Sequence, residues 1–241
     1  MNPTLKIFAM LLFATLAFHT TLNYMLDNIE DYETVPLPPK KINLDTLKTT
    51  NPIMVIQARS KETWTLVSFA SGKTFTVNDL DEQKEELARL DWDLGFQRTK
   101  IVTNGGITNP KGTVGVINLG LVDFDSIREV PDSEFIQDSR SFGRRTNKAI
   151  SNWYNYRTRT HNIESKKNVY VVKTSNDDFL KIRILNYYCS NEEEDCQSIM
   201  CTRSEAACLT VEYISSNHSQ RFPAPPAPEI SMNIEPKYAE N

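Results

Sequence analysis

The chain has few glycines and lacks the sequence patterns of several large enzyme classes. Eight glycines occur among 241 residues, and there is no Gly-x-Ser-x-Gly, no phosphate-binding glycine loop and no His-Glu-x-x-His. These patterns are typical of serine hydrolases, nucleotide-binding sites and zinc proteases. Asp91 and Asp93 come closest to a carboxylate pair, but they flank Trp92 on a predicted strand, where we expect them on the solvent side. We therefore predict that the protein is not an enzyme.

A concentrated charge of one sign is also missing. The 27 lysines and arginines are opposed by 31 aspartates and glutamates, which gives a net charge of -4. Nucleic-acid-binding domains typically carry a basic surface or stripe. We therefore do not expect nucleic acid to be a partner.

The first 26 residues combine an early positive charge with a long apolar run. Lys6 is followed by the apolar run from Ile7 to Phe18 and then by His19 and two threonines. This order is typical of an export signal. An uncleaved membrane anchor stays open, because the segment from Leu5 to Leu26 approaches the length of about 20 residues that a span requires. Both interpretations predict an exported protein, with membrane contact only through residues 1–26.

Proline-rich segments flank the predicted folded domain. Residues 27–52 mix acidic residues with four prolines and hold little that could be buried, and residues 221–241 are proline-rich as well. Such segments are typical of linkers and extended tails. They leave residues 53–220 as a single predicted β domain.

Short β-prone runs separated by turn residues recur through this domain. Phe75 and Val77 alternate with threonines after the turn residues Ser71-Gly72, and Asn104-Gly105-Gly106 supplies positions that tolerate positive φ. Only the stretch from Leu80 to Leu90 spaces its leucines like one face of a helix. The pattern predicts an all-β, antiparallel β-sandwich or barrel-like fold with a short helix and long loops.

The four cysteines lie within a span of 20 residues near the C-terminus. An even number of cysteines in an exported chain favours disulfide bonds. A zinc site is the alternative, but gaps of six, four and six residues do not give the close Cys-x-x-Cys pairs that zinc sites use. Phe179 to Tyr188 and Leu209 to Ile214 are predicted strands, and Cys189 and Cys208 bracket the connection between them. Of the three connectivities we therefore favour the nested one, in which Cys189 pairs with Cys208 and Cys196 with Cys201.

Between Ala58 and Tyr213, the order and spacing of several short motifs resemble those of the HmuY family. The motifs are Glu62-Thr63-Trp64, Asp91-Trp92-Asp93-Leu94-Gly95-Phe96-Gln97-Arg98, Asn104-Gly105-Gly106, Trp153-Tyr154-Asn155-Tyr156, Val169-Tyr170-Val171-Val172, Tyr187-Tyr188-Cys189 and Cys208-Leu209-Thr210. The resemblance implies an exported β protein of the haemophore type, which binds haem in a mostly apolar pocket and passes it to an outer-membrane receptor. The alternative is a binding or structural module of the cell envelope that keeps the scaffold without binding haem.

The three histidines leave one candidate iron ligand. His19 belongs to the N-terminal segment and His218 lies beside the proline-rich tail, so only His161 lies inside the matched stretch. Characterised haem-binding relatives use two histidines, and a second histidine is missing here. A second axial ligand would therefore be a methionine or a tyrosine, the candidates being Met54, Met200, Tyr154 and Tyr156.

Aromatic residues precede the candidate histidine. We predict that haem contacts His161 together with Trp153, Tyr154 and Tyr156, and that His161 binds the iron. The alternative is that Trp153 and Tyr156 belong to the sheet core, as aromatic residues at period-two spacing usually do, while His161 forms an ordinary hydrogen bond in a loop.

Overall fold

A computed structural model describes residues 3–28, 49–141, 143–189, 205–216 and 218–224. The helices are α1 (Pro3–Asn28) and α2 (Lys84–Leu87). The strands of the first half are β1 (Ile53–Gln57), β2 (Trp64–Val67), β3 (Thr74–Val77), β4 (Leu94–Gln97), β5 (Lys100–Thr103) and β6 (Gly115–Gly120). Those of the second half are β7 (Ser139–Ser141), β8 (Arg144–Thr146), β9 (Tyr154–Arg157), β10 (Asn162–Ser165), β11 (Val169–Lys173), β12 (Phe179–Asn186) and β13 (Cys208–Ser215).

The N-terminal helix α1 is apolar and unburied. Its stretch Thr4–Asn23 is long and apolar enough to cross a membrane, and none of that stretch is buried within the protein. A helix with an apolar surface all round is stable only when a membrane or a partner covers it. The helix therefore suits a signal segment or a membrane anchor.

Two antiparallel sheets form the body of the fold. The five-stranded sheet has the order β1-β13-β12-β11-β6, and the four-stranded sheet has the order β3-β2-β4-β5. Two further hairpins, β7–β8 and β9–β10, stand outside these sheets. All the strand pairs within these sheets and hairpins are antiparallel. The prediction of an all-β antiparallel fold with a short helix is therefore confirmed.

The main core lies between the two sheets. On β11, Tyr170 and Val172 belong to this core, together with Leu94 and Phe96 of β4 in the other sheet. Successive residues of a strand point to opposite faces. Val169 and Val171, which alternate with Tyr170 and Val172 along β11, therefore belong to a second cluster on the other face of the sheet. Both faces of the five-stranded sheet are thus covered, which explains why β11 is apolar without alternation.

A buried lysine lies on the outer face of the five-stranded sheet. The Lys181 ammonium is fully buried and donates hydrogen bonds to the carbonyls of Phe124 and Ile127, at 2.5 and 2.9 Å. It also lies 4.4 Å from the centre of the Phe124 ring. Burial lowers the pKa of Lys181 to about 8. These contacts hold the segment after β6 against the sheet.

The expectation that Asp91 and Asp93 lie on the solvent side is wrong for Asp93. Asp93 is 1% exposed, and its carboxylate accepts hydrogen bonds from the backbone N–H groups of Phe69 and Ser175, at 2.9 and 3.0 Å. Burial raises the pKa of this carboxyl group, although these hydrogen bonds oppose the shift. Asp93 therefore ties together three distant segments, and β4 begins only after it.

The helix in the stretch from Leu80 to Leu90 is shorter than its leucine spacing predicts. Only Lys84–Leu87 is helical, and turns precede and follow it. Side-chain oxygens cause this, because Asp79 Oδ1 accepts from the Asp81 N–H and Gln83 Oε1 from the Asn78 N–H. Such local hydrogen bonds favour turns over a continuous helix.

The ends of the two predicted proline-rich segments that adjoin the domain are held in place. Asn51 donates a hydrogen bond of 2.7 Å to the buried Glu212 carboxylate. Phe222 is buried, and its backbone N–H donates to the carbonyl of Arg128 at 2.9 Å. Most of residues 27–52 and 221–241 lies outside the described residues, so the domain boundaries stay a prediction.

One of the two predicted disulfides is confirmed. Cys189 is bonded to Cys208, 19 residues further along the chain. The bond joins the residues that follow β12 to the beginning of β13, and Gln57 donates a side-chain hydrogen bond to the Cys208 sulfur. Cys196 and Cys201, for which we predicted the second disulfide, lie outside the described residues, as does Met200.

Removing this disulfide should destabilise the protein. For a loop of this length, the loss of the cross-link is expected to lower the free energy of unfolding by about 3 kcal/mol. Urea unfolding of the Cys189→Ala/Cys208→Ala double variant, compared with wild type under non-reducing conditions, measures the effect. An unchanged unfolding midpoint would show that the bond contributes nothing to the fold.

Candidate functional site

The β9–β10 hairpin carries three of the four predicted haem-contacting residues. Antiparallel pairing sets Tyr154 opposite Ser165 and Tyr156 opposite Ile163. The turn ends at His161, which has a positive φ of 57° and donates its backbone N–H to the Arg157 carbonyl at 2.7 Å. This turn places the imidazole just before β10, beside the side chain of Tyr156.

Tyr156 and His161 form a close side-chain pair. The Tyr156 hydroxyl lies 2.6 Å from Nδ1 of His161, and the two ring centres are 6.0 Å apart. His161 is exposed, whereas Tyr156 is half-buried and packs against the main core. Because the hydrogen bond engages Nδ1, the nitrogen that remains for a ligand is Nε2.

Trp153 lies beneath the hairpin as part of the core. Its side chain is fully buried, and its indole N–H donates to the Thr99 carbonyl at 2.8 Å. The indole is 5.1 Å from the Tyr154 ring and 5.9 Å from the Tyr187 ring, between ring centres. Tyr187 in turn packs edge to face against Tyr188 at 5.2 Å. The hairpin therefore stands on a continuous aromatic cluster.

Two hydrogen bonds fix the hairpin to the end of the main sheet. The backbone N–H of Ile163 donates to the Tyr188 hydroxyl at 2.8 Å, and the Ser165 hydroxyl donates to the Ile184 carbonyl at 2.6 Å. Tyr188 directly precedes the bonded Cys189. The disulfide thus anchors the part of the chain that holds the hairpin.

The turn also carries positive charge and a buried hydroxyl. Arg157 forms an ion pair of 2.5 Å with Glu164, and Arg159 is exposed. Within the described part of the chain, the Thr160 hydroxyl is buried without a hydrogen-bond partner. An unsatisfied buried hydroxyl costs free energy, so such a group is a candidate contact for a ligand or a water molecule.

Not every sequence candidate is brought to this hairpin. Met54, a candidate second axial ligand, is a half-buried residue of β1 that packs against the main core. Conversely, Tyr187 and Tyr188 stand next to the predicted aromatic residues, although sequence reasoning did not select them. Their position in the motif Tyr187-Tyr188-Cys189, next to a predicted disulfide cysteine, was the signal available.

The described residues contain no group of three or more His, Cys, Asp or Glu side chains arranged to hold a metal ion.

Comparison with known proteins identifies one family. A family model described as HmuY protein matches residues 60–200 of the chain. The match includes the whole β9–β10 hairpin, whereas β1 and β13 of the five-stranded sheet lie outside it. No curated protein matches the chain.

Three solved structures are similar to this chain, one of them with a TM-score above 0.5. Apo PinO from Porphyromonas gingivitis is 14% identical, with a TM-score of 0.51, over 70% of this chain and 98% of that chain. The apo HmuY analogue of Tannerella forsythia is 17% identical, with a TM-score of 0.48, over 70% of this chain and 97% of that chain. A candidate HmuY-like haem-binding protein of Bacteroides vulgatus is 20% identical, with a TM-score of 0.47, over 67% of this chain and 89% of that chain. At these identities the likeness concerns the fold alone.

Proposed function

The chain belongs to the HmuY family, and from this membership we propose that it binds haem at the β9–β10 hairpin. The observation that carries the proposal is the pair formed by His161 and Tyr156 on an aromatic cluster, inside the stretch that the family model matches. The protein is then a haemophore-like binding protein for haem or iron acquisition at the cell envelope, and not an enzyme.

The chemistry of haem suits this arrangement. Haem is a large, flat and mostly apolar ring with two carboxylates, so it needs apolar walls, an iron ligand and a partner for negative charge. Nε2 of His161 supplies the ligand, and Tyr154 and Tyr156 supply ring surface. Trp153 is buried beneath them and supports Tyr154 from below. The exposed guanidinium of Arg159 lies two residues from the ligand and suits a haem propionate.

The remaining features fit a protein of the cell envelope. The apolar helix α1 suits a signal or anchor, and the Cys189–Cys208 disulfide suits an oxidising compartment. We place the protein in the periplasm or at the outer membrane or cell surface, where an outer-membrane haem receptor is the proposed partner.

A haemin titration tests the proposal. Adding ferric haemin to the purified chain should give a saturable Soret band, displaced from that of free haemin, at one haem per chain. His218→Ala is the matched control for substitution of His161, because His218 is an exposed histidine away from the hairpin. This variant should bind haemin as wild type does. If no saturable spectral change occurs, haem binding is refuted, and the envelope module without haem becomes the better account.

A further inference from the structure

We propose that Tyr156 is a positioning residue, which turns the His161 ring so that Nε2 faces the haem iron. This inference rests on the proposed function and assigns separate roles to the two members of the pair. The Tyr156 hydroxyl and Nδ1 of His161 are 2.6 Å apart, which is a short hydrogen bond.

The direction of this hydrogen bond follows from iron binding. A phenol oxygen can donate a proton to Nδ1 or accept one from it. When the Nε2 lone pair binds iron, the single proton of a neutral imidazole is on Nδ1, so Nδ1–H donates and the Tyr156 oxygen accepts. Histidine ligands in proteins almost always have such an outer partner, which fixes the tautomer and makes the ligand more basic.

His161 depends on such a partner because of its place in the fold. It is exposed at the end of a turn, so its side chain is not confined by packing on all sides. Tyr156 is better held, because it pairs with Ile163 across the hairpin and packs against the main core. The hydrogen bond to the well-packed Tyr156 therefore restricts the orientation of the exposed His161 ring.

Tyr213 provides a comparison outside the proposed site. It lies on β13, is also half-buried and packs against the main core. Its ring lies against that of Phe69, with 5.5 Å between the ring centres. Removing its hydroxyl makes the same chemical change in a tyrosine that we do not assign to haem binding.

The test compares Tyr156→Phe with Tyr213→Phe in the full chain. Tyr156→Phe should weaken haemin binding by about 10- to 100-fold, the usual cost of losing an outer partner of a metal ligand. It should also raise the reduction potential of the bound haem, because a less basic histidine stabilises ferric iron less. Tyr213→Phe should leave both quantities at their wild-type values. Thermal unfolding of each variant shows whether the fold is intact.

The outcomes separate this inference from the proposed function. If wild type binds haemin and Tyr156→Phe has the same affinity and potential, the positioning role is refuted and haem binding stands. If Tyr156→Phe loses the haem spectrum while His161→Ala keeps it, the tyrosine is itself the ligand and our assignment of roles is reversed. If wild type binds no haemin, both proposals fail.

Discussion

Replacing His161 by glycine is expected to remove the haem-specific Soret band while leaving the hairpin folded. His161 has a positive φ of 57°, a backbone conformation that glycine adopts without strain. The substitution therefore deletes the imidazole without disturbing the turn. The affinity for haemin should fall by at least the roughly 10- to 100-fold that follows when only an outer partner is lost. Titration of both proteins with haemin measures the difference.

Added imidazole provides the control for this substitution. Imidazole in solution should restore the wild-type band in His161→Gly if the lost group acted as an iron ligand. His161→Asn is a second variant, because asparagine also tolerates positive φ but does not supply the imidazole nitrogen. Haemin binding by His161→Gly with wild-type affinity and spectrum would contradict the role of His161.

The second large effect is expected from Trp153→Ala. The indole is fully buried in the main core, and the loss of a buried tryptophan typically lowers the free energy of unfolding by about 3–5 kcal/mol. The Thr99 carbonyl also loses its hydrogen-bond donor, which adds about 1 kcal/mol. Urea unfolding, with fluorescence and circular dichroism as probes, measures the change.

Tyr154→Ala is the matched comparison, since Tyr154 is the neighbouring ring and only half-buried. Its unfolding free energy should fall by less than that of Trp153→Ala. A destabilisation below 1 kcal/mol for Trp153→Ala would show that the indole is not a core residue. A large loss of unfolding free energy would mean that Trp153 supports the proposed site by packing beneath it. Haem binding by this variant must therefore be measured on protein that is still folded.

Much of the sandwich could be predicted from local patterns. The alternation of Phe75 and Val77 with threonines after Ser71-Gly72 predicted a strand, and these residues form β3, which pairs with β2. The bond between Cys189 and Cys208 followed from placing these residues at the ends of neighbouring strands. Alternation and turn residues depend only on neighbouring positions in the chain, so the sequence alone is enough to predict the strands and turns that they form.

Features that depend on distant partners could not be predicted in the same way. Asp93 resembled a surface residue, because its hydrogen-bond donors at Phe69 and Ser175 lie 24 and 82 residues away. The contact between the rings of Trp153 and Tyr187 is likewise formed only when the hairpin folds onto the sheet. Burial of such residues is decided by tertiary packing, which one sequence alone does not report.

The candidate site was predictable in composition but not in geometry. The sequence shows His161 five residues after Tyr156, but a direct hydrogen bond between their side chains requires the particular turn that gives His161 its positive φ. Many turns of similar length would point the two side chains apart. The pairing of the two groups, and hence their separate roles, therefore came from the structure.

The position of the iron in the haem complex is the most direct test of this account. Diffraction from crystals of the full chain with haemin, recorded at the iron absorption edge, gives that position as an anomalous peak. We predict one strong peak per chain, within bonding distance of Nε2 of His161, with the Tyr156 hydroxyl on the opposite side of the imidazole ring at Nδ1. A peak elsewhere on the protein, with His161 uncoordinated, would contradict the account.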